Sequence, residues 1–319
     1  LKKRYIVLFI MVAILLLTTG CGDHAKQGNL QKVGLLLEGN IDDQAWGEKG
    51  YQGLLSIKEE FDVNVEYKEG IIEEKEIKEA VDEFVEDGVN LIFGHSSAYG
   101  KTFFEISQEY PDVHFVYFNG TYYSDNVTSL TFNSHAMGFF AGMLASEMSE
   151  TDQVGIIAAY QWQPEIEGFY EGVKYQNPMT EVNMDFIYDW NEYQIALEMY
   201  EKLKQQGVDV FYPAGDAFSQ QVIKAASEDG LFAIGFVSDQ HDIGPKTVLT
   251  STVQHVDKLY TLTADQFSEG ELEGEILTFD FKDNFITFGE FSPEVPEDFQ
   301  HTLEQAIENY KNTGLLPNQ

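Results

Sequence analysis

The residue types best suited to gripping a solute in this chain are its three tryptophans, each of which falls just past an apolar run of strand length. Trp46 lies in Gly39-Asn40-Ile41-Asp42-Asp43-Gln44-Ala45-Trp46-Gly47 after the run Val33–Leu37, Trp162 follows Val154–Tyr160, and Trp190 follows Phe186–Asp189. An indole on a loop is disfavoured unless it packs on apolar surface or meets a ligand. Each ring could simply cap its own core, but three in equivalent places point to a binding site. Trp46 and Trp190, contributed from opposite halves, would sandwich a flat heterocycle by stacking. Asp239, in Ser238-Asp239-Gln240, ends another apolar run with a carboxylate able to accept two sugar hydroxyls; its other use there is as a helix N-cap. Gly215, beside Asp216, permits close backbone approach by a ligand or marks a tight turn.

Other chemistries find no support. The seven histidines make no i, i+4 pair and no HExxH pattern, and there is one cysteine, so neither a metal nor another cofactor is expected. Gly244-Pro245-Lys246-Thr247 lacks the upstream glycine of a phosphate loop, and no GxSxG elbow is present. Adjacent Asp42-Asp43 could be a hydrolase's metal-binding pair, but carboxylates beside a loop are more often solvated, so the chain is not read as an enzyme.

The elements that must position these residues alternate. Val33–Leu37, Leu91–Phe93, Phe115–Phe118, Val154–Ile157, Val210–Tyr212 and Phe232–Ile234 are continuous apolar runs, as in strands covered on both faces. Between them lie amphipathic helices such as Glu76–Glu86 and Glu192–Gln205. This α/β order specifies parallel sheets flanked by helices. Gly88-Val89-Asn90-Leu91-Ile92-Phe93 recurs as Gly207-Val208-Asp209-Val210-Phe211-Tyr212, each copy after a helix and before a Gly-containing turn. Two Rossmann-like lobes of one plan follow, with ligand-binding strand ends aimed into the cleft between them. The segment Ile276–Phe279 through Phe288, with the helix Pro296–Tyr310, is expected to cross between the lobes. The first lobe is assigned residues 32–134 plus about 254–280, and the second 135–253 plus about 281–319.

The chain has 319 residues, of which 43% are hydrophobic, enough for about two domains. With 54 acidic and 19 basic residues its net charge is −35, so direct binding to a nucleic-acid polyanion is disfavoured. Lys2-Lys3-Arg4, the apolar stretch Tyr5–Leu17 and Thr18-Thr19-Gly20-Cys21 form an export signal over residues 1–20, too short to span a bilayer. Its end resembles a bacterial lipobox, which implies cleavage before Cys21, diacylglycerol attachment to its thiol, and a polar tether to about residue 31. The protein is therefore expected on the outer side of the cell membrane, held by its lipid.

Together, Cys21, Ile41-Asp42-Asp43-Gln44-Ala45-Trp46, Ile234-Gly235-Phe236-Val237-Ser238-Asp239-Gln240 and Val248–Gln254 resemble the basic-membrane-protein lipoproteins. These are type I solute-binding proteins that include purine nucleoside receptors of ABC importers. The resemblance implies the type I periplasmic-binding-protein fold, with crossover hinge segments joining the lobes. It also implies a nucleoside-like ligand and an ABC permease or membrane signalling partner. By resemblance, Trp46 and Trp190 are the base-stacking aromatics, Asp239 the ribose-binding carboxylate and Gly215 its neighbour; Asp43, Asn119 and Gln254 complete the site. Three positions depart from the nucleoside receptors: Gly47 replaces an asparagine, Asn119 an aspartate that reads the base, and Gln254 a lysine that reaches the sugar. Purine specificity therefore does not carry over. Trp46-Gly47, Pro213-Ala214-Gly215-Asp216 and Ser251-Thr252-Val253-Gln254 bring the chain nearer to a branch described as positive regulators of competence gene expression, an alternative function that would act indirectly from the membrane.

Overall fold

A run of apolar residues too short for a helix is stable only as a strand with both faces covered, and that is what these runs become. The computed structural model describes residues 28–41 and 45–319; the export signal, Cys21 and Asp43 lie outside the described residues. The chain begins with β1 (Lys32–Leu36), α1 (Ala45–Phe61), β2 (Asn64–Lys68), α2 (Glu74–Glu86), β3 (Leu91–Gly94), α3 (Tyr99–Ile106), β4 (His114–Phe118) and β5 (Val127–Phe132). It continues through α4 (Ser134–Met148), β6 (Gln153–Ala158), α5 (Pro164–Gln176), β7 (Glu181–Phe186), α6 (Tyr193–Gln205), β8 (Val210–Ala214), α7 (Ala217–Asp229), β9 (Phe232–Val237) and β10 (Val248–Gln254). It closes with α8 (Val256–Glu269), β11 (Ile276–Phe279), β12 (Ile286–Phe288) and α9 (Glu297–Thr313).

Two six-stranded sheets result, in the orders β11-β5-β4-β3-β1-β2 and β12-β10-β9-β8-β6-β7. Position by position the two orders correspond, β3 matching β8 and β1 matching β6. The sequence repeat has a physical cause. Gly88 and Gly207 take φ of 85° and 94°, which ends the preceding helix in a left-handed turn. Val89 N then bonds Phe84 O at 2.9 Å and Val208 N bonds Leu203 O at 3.2 Å, so each chain enters its central strand the same way. The sheets differ at one edge. β11 joins β5 parallel, whereas β12 joins β10 antiparallel.

The chain crosses between the sheets three times: after β5, after β10 and between β11 and β12. The crossings are tied to one another. Asn133 N donates to Phe279 O at 2.8 Å and His255 N to Phe285 O at 2.9 Å. Tyr310 Oη donates to Asp280 Oδ2 at 2.9 Å while accepting from Asn133 Nδ2 at 2.8 Å.

One apolar cluster runs from β1 and α1 through α4 into the second sheet, and a smaller one fills the outer side of each sheet. Helix α4 is buried without interruption from Ala136 to Ser146, as expected of a helix apolar all round. It meets α5 glycine to backbone. A Cβ on Gly138 would stand 2.1 Å from Glu165 O, and one on Gly172 would stand 1.9 Å from Phe139 O. Gly142 and Gly168 face α5 and α4 backbone just as closely, so no methyl group fits anywhere along this contact.

Candidate functional site

A cavity of about 440 Å³ lies where the carboxyl ends of the two sheets meet. The first lobe lines it with Leu37, Glu38, Trp46, His95 and Asn119, and the second with Trp162, Glu165, Trp190, Asp216 and Val237; Thr131, Ser134 and Gln254 come from the crossings.

Trp46 is the second residue of α1, and its ring is fixed by its neighbours. Its indole Nε1 donates to His95 O at 3.0 Å, and His95 Nε2 donates back to Trp46 O at 2.7 Å. The two rings stack with centroids 4.5 Å apart and 16° between planes, and the edge of Phe118 closes a third side. Gly50, one turn along α1, leaves room for the imidazole; a Cβ there would lie 2.7 Å from it. Tyr260 Oη donates to His95 Nδ1 at 2.8 Å. With both ring nitrogens engaged and the ring buried, desolvation pushes the His95 pKa down to about 3, against the smaller opposing effect of its bond to Trp46. The imidazole is therefore neutral, its proton on the nitrogen that faces a carbonyl, and it is a prop for Trp46 rather than a proton acceptor.

The second lobe's wall is built differently. Trp162 is 64% exposed; it stacks on Tyr160 at 5.5 Å and meets Trp190 edge-on at 6.0 Å. Below this cluster Pro164 opens α5, its fixed φ suited to a first helical position. Glu165 comes next, only 4% exposed. Its Oε1 accepts from Gln163 Nε2 at 2.7 Å, and the same amide nitrogen donates to Ala214 O at 3.0 Å. Burial outweighs these bonds and raises the Glu165 pKa to about 7. Asp216 precedes α7 but does not cap it with its side chain. Instead Oδ1 reaches across the cleft to accept from Trp46 N at 2.8 Å, satisfying one of the unpaired donors at the start of α1. Val237, at the end of β9, has φ of 64°. For a β-branched residue that backbone costs on the order of 1–3 kcal/mol.

The profile of the Bmp family, described as ABC transporter substrate-binding protein PnrA-like, matches residues 30–319. The chain belongs to the Bmp family. The Bacillus subtilis (strain 168) transcriptional activator protein Med is 46% identical over 310 residues, covering 97% of this chain and 98% of its own. The crystal structure of a transcriptional activator of the comK gene from Bacillus halodurans superposes with a TM-score of 0.84 at 47% identity, covering 90% of this chain and 99% of that one. An ABC transporter solute-binding protein from Conexibacter woesei DSM 14684 superposes at 0.74 with 19% identity, over 90% of this chain and 99% of that one, which bears on the fold alone. The two parallel lobes are thus the type I solute-binding fold, and the Bmp family is one of solute-binding proteins rather than enzymes.

Within this Bmp-family cleft, the structure brings Trp46, Asn119, Trp190 and Gln254 to the cavity wall. Asn119 has φ of 56°, a turn that asparagine tolerates better than most residues. Gln254 is buried, its Nε2 only 3.6 Å from Met137 Sδ, a weak acceptor. Gly215 and Asp239 are not among the lining residues. A Cβ on Gly215 would fall 1.9 Å from the Phe218 ring, so glycine is required there by packing. Nor is the Asp239 carboxylate free, as its place at a strand end suggests. Oδ1 accepts from Ser251 Oγ at 3.1 Å and His241 N at 3.2 Å, and Oδ2 accepts from Glu290 N at 2.9 Å. One face of the Trp46 ring is covered by His95. His95, Glu165 and Asp216 are wall residues that sequence reasoning did not select. The signal for His95 and Asp216 was their place just past β3 and β8; Glu165 was marked by a proline at the start of a helix.

Proposed function

We propose that this protein is a lipid-anchored, extracytoplasmic receptor that closes its two lobes around a small aromatic, nucleoside-like solute for ABC import or sensing. The observation that carries the reading is the cavity of about 440 Å³ with Trp46 on one lobe and Trp190 on the other. Trp46 offers one ring face, Trp190 and Trp162 supply an adaptable opposing wall, and Asn119 and Gln254 can both donate and accept at the rim of a heterocycle. The three tied crossings act as the hinge, and the bond from Trp46 N to Asp216 bridges the lobes when they are together. The charged start, short apolar stretch and lone Cys21 support the anchor. Calorimetric titration of the detergent-solubilised chain with adenosine, guanosine, cytidine and uridine tests the reading. Binding of at least one, weakened about tenfold or more in Trp190→Ala, is expected. A folded chain that gives no heat with any nucleoside would remove the ligand claim.

The second reading is a regulator of competence transcription, favoured by 46% identity to the Med protein. With a net charge of −35 and an outward-facing anchor, such a role would pass through a membrane partner. A salt-sensitive, sequence-specific shift of DNA by the purified chain would overturn that indirect route.

A further inference from the structure

The cavity wall combines two kinds of negative surface. Three indoles, Trp46, Trp162 and Trp190, line it, and the face of an indole carries the negative lobe of its quadrupole. Three carboxyl-bearing side chains, Glu38, Glu165 and Asp216, line it as well, while no lysine or arginine does so among the described residues. Nor does the one histidine in the wall supply positive charge, since both His95 nitrogens are committed within the protein. Three helices, α1, α4 and α5, have their first turns at the cavity, and a helix start is where an anion would ordinarily be held. Two of these starts are already occupied by the protein's own acids: Asp216 accepts from Trp46 N in the first turn of α1, and Glu165 lies in the first turn of α5. Glu38, half-buried on the loop after β1, has no hydrogen-bond or ion-pair partner among the described residues. Within a concave, partly buried cleft, such a surface penalises an anion and rewards a cation more than the same groups would in bulk solvent.

We infer that the ligand of this cleft is a planar organic cation, a protonated or quaternised heteroaromatic ring held against the indoles and neutralised by Glu38 and Glu165. The inference rests on the aromatic-solute reading above and narrows it: phosphorylated or carboxylated solutes are rejected, and neutral rings bind less well than charged ones of the same shape. Glu165 meets the charge from the floor and Glu38 from the first lobe, while Asp216 remains engaged with α1.

Three probes of one shape and different charge separate this from the broader reading. They are 1-methylnicotinamide (cation), 3-methylbenzamide (its neutral isostere) and 3-methylbenzoate (anion), titrated by tryptophan fluorescence and calorimetry against the detergent-solubilised full chain, with adenosine alongside. The cation is expected to bind about tenfold or more tighter than the neutral isostere, and the anion weakest of the three. Glu165→Gln and Glu38→Gln are each expected to shrink the cation-to-neutral ratio, and the double variant to bring it to about one. Both variants keep side-chain shape, and their melting curves report folding independently of binding. Equal or tighter binding of the neutral isostere or the anion overturns the inference, as does a preference that survives the double variant. If neutral adenosine binds and is lost in Trp190→Ala, the aromatic-receptor reading stands whatever the charge series shows. If the folded chain binds none of the four, both readings fall.

Discussion

The two walls of the cleft hold aromatic rings by opposite means. In the first lobe order is imposed on the ring itself: Trp46 is stacked on His95, bonded to it in both directions and backed by Phe118 and Tyr260. In the second lobe the exposed Trp162 clusters with the half-buried Trp190 and Tyr160, and order is imposed one layer down, where α4 and α5 meet without room for a methyl group. A preformed surface on one side and a second wall on a rigid base are consistent with the docking and closure proposed above.

The sharpest way to break this contrast is at the helix contact. Gly172→Ala puts a methyl 1.9 Å from Phe139 O. It is expected to cost more than about 3 kcal/mol, read from the urea midpoint, since backbone cannot step aside as a side chain can. A cost near zero would show the second lobe's base to be soft. Glu165 comes next. Its raised pKa means that its contribution to stability is complete below about pH 4.5 and is lost as pH rises through about 7. Glu165→Gln is therefore expected to be neutral near pH 4 and more stable than the parent by up to about 3 kcal/mol at pH 8. A pH-independent difference would mean the carboxyl is not buried as described.

On the first wall, His95→Phe keeps the stacking but leaves Trp46 O and Tyr260 Oη without their partner, an expected loss of about 1–3 kcal/mol. It should also change the acid limb. The His95 pKa is depressed to about 3, so its stabilising contribution is present above about pH 6.5 and is lost as pH falls towards 3. The variant should lose stability less steeply across that window, His114 retaining a similar dependence of its own. The smallest effect is expected for Trp162→Ala, within about 0.5 kcal/mol because the ring is mostly in solvent. Were Trp162→Ala to cost as much as His95→Phe, the two walls would not differ in kind.

What the amino-acid order made legible follows from burial. Strands such as β1 and β8 could be read directly because a strand covered on both faces has nothing polar to interrupt it. Edge strand β2, Asn-Val-Glu-Tyr-Lys, and buried β5, with two threonines and a serine, carry no such run. In β5 the hydroxyls are absorbed by partners distant in sequence, Thr131 by Leu277 O and Thr278. The site divides the same way. Tryptophans past strand ends were visible because position alone suffices. The partners of Asp239 were not legible because Ser251 and Glu290, which engage its oxygens, arrive from β10 and from the stretch after β12. The packing role of Gly215 was hidden because the Phe218 ring, which excludes a side chain there, meets it only in the folded chain. Nothing in the order of residues indicates that Asp216 serves a helix of the other lobe.

The tight fit of α4 on α5 has a mechanical consequence. Helix α4 starts at the crossing after β5, and Gly138, about one turn in, lies against the carbonyl of Glu165 itself. With no slack between them the two helices form a single lever, pivoted at Asn133 and tipped by the cleft carboxyl. In the proposed closure, torsion at the pivot would be carried along both helices to that tip.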